Sequence, residues 1–153
     1  MLLLAATGCT AKPKDAERVA PVPTLDTGQM AVGREVYVRL CASCHGARGE
    51  GAENWATPGP DGLHPAPAHD DTGHTWHHPD RVLFEVITNG MSDPLRPEAP
   101  LRMPAFGEQL SEEETGAVVE YLKSLWSEEH LRWQWEVTLE DSATTPPGTP
   151  ASP

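Results

Sequence analysis

One stretch constrains this chain more than any other: Cys41-Ala42-Ser43-Cys44-His45. On a helix over residues 29 to 44, two thiols three positions apart share one face. There each can add across a porphyrin vinyl group, and the histidine that follows is placed to take an axial position on the iron. Two other chemistries use the same cysteine spacing. A thioredoxin-like dithiol sits in a βαβ setting, and no alternating or β-branched run flanks this motif. A structural zinc site takes four ligands, usually with a second Cys or Cys/His pair, and no further cysteine lies downstream. The pattern C-x-x-C-H is the attachment signature of a c-type haem. One covalently bound haem c is therefore expected, tethered through Cys41 and Cys44, with His45 as the proximal iron ligand.

A chain of 153 residues suits one domain, but the stretch able to build a core is shorter. Fifteen of the 16 prolines gather in segments 12–23, 58–67, 94–104 and 146–153, so much of the chain reads as loop or tail. A haem supplies what is missing, a flat apolar body around which short helices pack. No stretch approaches the roughly 20 apolar residues of a membrane span. The net charge of −12 is unevenly spread: residues 31–106 carry six basic and ten acidic side chains, residues 107–141 two and ten. Nucleic acid demands a basic footprint, so it is not an expected partner.

Two of the three cysteines are committed to haem, which leaves Cys9. The run Met1-Leu-Leu-Leu-Ala-Ala-Thr-Gly-Cys9 resembles a bacterial lipoprotein signal, in which Cys9 becomes the acylated first residue of the mature protein. It departs from that pattern in lacking a basic n-region and in its short apolar run. The expectation is an exported protein, in the periplasm or on the outer face of the membrane, held there by a lipid on Cys9. Residues 10–27 mix charge and proline without apolar periodicity and read as a flexible tether.

Asp26 or Thr27 can cap a first helix, along which Met30, Ala31, Val36, Tyr37, Leu40 and Cys41 recur at helical intervals. Pro79 suits the first position of a second helix, with Val82, Leu83, Phe84, Val86 and Ile87 as its apolar face and Asn89-Gly90 as its stop. Pro94, Pro97 and Pro100 stiffen the loop 91–102. Ser111-Glu-Glu-Glu114 is a capping box opening a helix whose stripe is Ala117, Val118, Tyr121, Leu122 and Leu125. A further amphipathic segment, Glu128 to Leu139, carries Leu131, Trp133, Trp135 and Val137 and is expected to pack back on the domain.

Gly33-x-x-x-Tyr37-x-x-x-Cys41-Ala-Ser-Cys44-His45-Gly46, with Gly51 and, far downstream, Met103-Pro-Ala-Phe106 and Tyr121-Leu122, resembles the class I, mono-haem cytochrome c family, in a bacterial exported lipoprotein type. The resemblance covers roughly residues 28–126. It implies an all-α cytochrome c fold, short helices around one haem with long Gly/Pro-rich loops. It also implies that the first and last core helices cross closely at Gly33, Tyr37 and Tyr121, and that a proline carbonyl receives the ring N–H of His45. Pro60 and Pro67 both fit that last element, and Pro67 is preferred. The domain plan is then a signal-like segment 1–9, tether 10–27, cytochrome c domain 28–126, C-terminal helical extension 127–141 and disordered tail 142–153.

The sixth ligand decides what a histidine-bound haem does, and a methionine closes the site to substrates while raising the potential. Of four methionines, Met1 lies in the signal and Met30 before the first helix, leaving Met91 and Met103. Met103 matches the distal methionine of the resembled family, and Met91 is expected to fill a gap as flexible methionines do. These residues point to an electron carrier with a His/Met-ligated iron, exchanging electrons with redox proteins, with no catalytic residues and no small-molecule substrate. Two alternatives stand beside it. One is a haem subunit of a larger oxidoreductase. The other is a copper- or metal-handling protein using the His-rich stretch 64–78, with His74, His77 and His78 as ligands of a second metal.

Overall fold

In the computed structural model, which describes residues 21–92 and 102–146, Asp26 opens the first helix, α1 (Thr27–Leu40). Its carboxylate accepts from the N–H groups of Gly28 and Gln29 at 2.8 and 3.0 Å, satisfying donors that a helix start leaves without partners. Met30, expected ahead of the helix, therefore lies in its first turn. The helix ends at Leu40 and a single turn, α2 (Ala42–His45), follows, so the expected continuous helix over 29–44 is broken at Cys41. Enough of the ladder crosses the break, Cys41 N–H to Tyr37 O and His45 N–H to Cys41 O, to keep the motif in helical register.

A 3₁₀ turn, Thr75–His77, ends the long loop. Then come α3 (Asp80–Asn89), α4 (Glu112–Lys123) and α5 (Glu128–Thr144). Among the described residues there are five α-helices and no strand, and the architecture is all-α. Pro79 sits one position earlier than expected, as the cap of α3, with an extended ψ of 159°. Gly90, at φ 72°, stops α3. Ser111 and Glu114 close both bonds of the capping box of α4.

The core is the contact of α1 with α4, joined by α3. Gly33 makes the crossing possible, since a Cβ there would stand 1.8 Å from the Ala117 carbonyl oxygen and 2.9 Å from Tyr121 Cβ. Tyr37 has no exposed surface, and its ring lies 5.1 Å from that of Tyr121. Val36, Leu83, Ile87, Phe106, Leu110, Val118, Val119, Leu122 and Trp126 complete the cluster, which also contains Cys41.

The C-terminal helix differs from expectation in length and in what holds it. It runs to Thr144, three residues into the segment read as disordered from 142. Its docking is largely polar. Gln134, 1 % exposed, donates to Asp80 at 2.6 Å, Thr138 accepts from the Asp80 N–H, and Arg81 grips Asp141 with two bonds of 2.7 and 3.0 Å. Of its apolar residues, Leu131 packs on the core while Trp133 is 51 % exposed. Cys9, residues 10–20 of the expected tether, Pro94, Pro97, Pro100 and residues 147–153 of the tail lie outside the described residues.

Candidate functional site

The loop between α2 and the 3₁₀ turn folds back on the motif that precedes it. Gly51 N–H donates to His45 O, Ala52 N–H to Ala66 O and His69 N–H to Gly49 O. Gly51 carries a φ of +78°, and a Cβ there would come within 2.6 Å of the Ala68 nitrogen, so only glycine fits this return. The result is that the Pro67 carbonyl oxygen stands 2.9 Å from His45 Nδ1. Pro60, the other candidate, lies in a separate turn closed by Gly59 N–H to Leu63 O and Gly62 N–H to Gly59 O.

A carbonyl only accepts, so Nδ1 of His45 carries the proton and Nε2 keeps the lone pair. Burial lowers the His45 pKa, opposed by the bond to Pro67, and the ring is neutral. That is the tautomer and charge state of an imidazole ready to bind a metal through Nε2, with a carbonyl raising its basicity. Tyr37 hydroxyl donates to Gly46 O at 2.9 Å, tying the turn that bears His45 to α1.

Cys41 is buried and Cys44 exposed, and both are free thiols. Burial, reinforced by Cys44, pushes the Cys41 thiol up to about 11. Reactive dithiols and thiolate metal sites show the opposite shift.

Met103 packs against the core cluster, while Met91 is 50 % exposed. The two are paired through the backbone: Met91 N–H donates to Met103 O at 3.0 Å and Met103 N–H to Met91 O at 3.3 Å. Phe106 N–H then donates to Ile87 O and Gly107 N–H to Thr88 O. The segment that bears Met103 is thus laced to the C-terminal end of α3.

The remaining loop histidines do not converge. His74 and His78 meet edge to face at 5.6 Å, but His77 stacks on Trp76 at 3.8 Å, and Trp76 stacks in turn on His130 at 3.7 Å. Among the described residues no group of three or more His, Cys, Asp or Glu side chains is placed to hold an ion. No spacing in the sequence marks His69, yet its ring stacks on His45 at 4.1 Å. Burial, with His45 and His74 adding to it, lowers its pKa to about 3, so it too is neutral. Its place two residues after Pro67 is the only signal that could have singled it out.

The donor set fits a haem iron: a neutral, oriented imidazole, two thiols three residues apart, and a thioether, beside a cluster of Leu, Ile, Val and aromatic side chains. Cys41, Cys44 and His45 would hold the group, with Met103 available to the iron. Neither the comparison with curated proteins nor that with solved structures returns a match. The family model for cytochrome c matches residues 30–126, from the first turn of α1 to the end of the core. The chain belongs to the cytochrome c family, the proteins that transfer electrons through a covalently attached haem c.

Proposed function

We propose that this chain is an exported, lipid-anchored, single-haem electron carrier whose iron is held by His45 and Met103. One observation carries the reading: Nδ1 of His45 is committed to Pro67 O, which leaves Nε2 as the ring's only donor to iron and fixes its tautomer. When bound, the haem supplies a one-electron couple between ferric and ferrous iron. The chain's own residues bind and tune it. Cys41 and Cys44 fix it in position, and Met103, a neutral sulfur donor, favours the ferrous state and raises the potential. The backbone pairing of Met103 with Met91 supports a distal segment that stays in place in both oxidation states. Leu83, Ile87, Phe106 and Leu110 belong to the buried cluster that would pack against the haem. The partners are redox proteins. Acylation of Cys9 with residues 10–27 as a tether rests on the sequence pattern alone.

The test is a difference spectrum of the intact protein matured with haem. A site closed by His45 and Met103 shows low-spin iron, a weak charge-transfer band near the red edge of the visible range when oxidised, and no reaction with carbon monoxide when reduced. Ready carbon monoxide binding by the wild-type protein overturns the closed site. For the anchor, lipid mass on Cys9 is expected, and an unmodified chain fractionating as soluble overturns it.

A further inference from the structure

His45 shares its surroundings with a second imidazole. The His69 ring lies against it with centroids 4.1 Å apart and planes 27° from parallel. Binding iron does not require this neighbour, because Pro67 already orients His45 through Nδ1. His69 is nonetheless held at its backbone N–H, its carbonyl and its Nδ1. Its N–H donates to Gly49 O at 2.6 Å, and its carbonyl accepts from the Trp126 indole at 2.8 Å. Its Nδ1 stands 2.8 Å from Thr75 Oγ1. The Thr75 hydroxyl is buried and gives its proton to Ala68 O at 3.4 Å, so its oxygen accepts and His69 Nδ1 donates. The Tyr37 ring closes a further side, edge-on at 6.3 Å.

We propose that His69 is a positioning residue: stacked on His45 and tethered through Thr75, it fixes the angle of the His45 ring plane about the iron–nitrogen bond. This rests on His45 being the iron ligand. The Pro67 bond alone leaves that angle loose, since a hydrogen bond keeps most of its strength over roughly 30° of tilt. A flat ring at stacking distance, itself pinned by the Gly49, Trp126 and Thr75 bonds, does not yield in the same way. The plane of an axial imidazole sets which ferric d orbitals are split and how unpaired spin spreads over the macrocycle. The angle is therefore written in the magnetic spectra of the oxidised protein, where a residue that only fills core volume leaves no mark.

The experiment compares holoprotein of the wild type, His69→Leu, Thr75→Val and, as a control in the α1–α4 core, Val118→Ala. Ferric g values and the order of the shifted haem methyl proton resonances are recorded. His69→Leu keeps apolar volume and removes the stack, and it is expected to change the g values and reorder the methyl resonances. Thr75→Val keeps both rings and cuts the tether, moving both signals the same way by less. Val118→Ala lowers stability and leaves both signals as in the wild type. Unmoved spectra in His69→Leu overturn the proposal, as does an equal movement in Val118→Ala. If His69→Leu fails to take up haem, unmoved spectra in Thr75→Val overturn it. Nitrogen hyperfine coupling from one axial imidazole in the wild type tests His45 separately. Its absence removes the ligand and this role together, while its presence with unmoved spectra removes only the role of His69.

Discussion

Met103 and Met91 share a backbone bridge and differ in what surrounds their sulfur, which makes them a matched pair for testing the distal ligand. Met103 is packed on the core, and Met91 is half in water. A ligand needs the first environment, because a thioether is a weak donor that water displaces unless the surroundings exclude it. Met103→Ala is expected to abolish the charge-transfer band, admit carbon monoxide and lower the potential, since the sulfur donor is what raises it. Met91→Ala is expected to change none of these. The reverse pattern in the two oxidised spectra would move the ligand to Met91. The motif Cys41-x-x-Cys44-His45 is legible from its spacing alone. The choice of Pro67 over Pro60 is not, because it depends on how turns at Gly49, Gly51 and Ala52 bring a distant carbonyl home. His69 was hidden for the same reason: a stack between residues 45 and 69 has no periodic trace in a sequence.

At the scale of elements, the α1–α4 crossing and the docking of α5 are held by different physics. The crossing depends on Gly33, where backbone meets backbone and no rotamer can relieve an added methyl. Gly33→Ala is expected to lower stability by about 1–3 kcal/mol or more, as overpacking of a tight core does, read from denaturant unfolding of the holoprotein; an unchanged midpoint would show that the helices part at no cost. The α5 seam depends on charge. The hydrogen bond from Arg81 holds the Asp141 carboxyl below its ordinary range, against a smaller cost of desolvation. A depressed folded pKa gives stability that is present above the unfolded value, about 3.9, and lost as pH falls through the folded one. Amide protection along residues 134–144 is thus expected to be flat from pH 5 to 8 and to drop below about pH 4, and Arg81→Gln is expected to reproduce that drop at neutral pH. Protection that ignores both acid and Arg81→Gln would assign the docking to apolar contacts instead. The starts of α1 and α4 and the stop of α3 were legible because Asp26, Ser111 with Glu114, and Gly90 act on their own neighbours. The end of α5 was not, since the bond that anchors it spans 60 residues.

For the whole molecule, the quantity that governs encounters is charge. The chain carries −12, and residues 107–141, which form α4 and most of α5, hold ten acidic and two basic side chains. Several of those charges are spent internally: Glu114 on its own cap, Asp141 on Arg81, Glu128 on Arg132. Glu112, Glu113, Glu129 and Glu140 stay exposed, so the field outside the protein remains negative. A field of this sign draws cations to the surface and repels anions, and salt removes both effects, with a screening length of about 10 Å at 0.1 M. Electron exchange with a small, stronger cationic oxidant such as tris(phenanthroline)cobalt(III) is therefore expected to slow as ionic strength rises from about 0.01 to 1 M. Exchange with anionic ferricyanide is expected to accelerate over the same range. Stopped-flow oxidation of the ferrous protein reads both. Because the two probes share the same haem, any change in the iron site itself moves them in one direction and only electrostatics moves them apart. Rates that are flat with salt for both probes would mean that electrons leave through a surface on which the acidic side chains exert no field. Two slopes of opposite sign would show that electrons leave through a surface lying within the field of the acidic side chains.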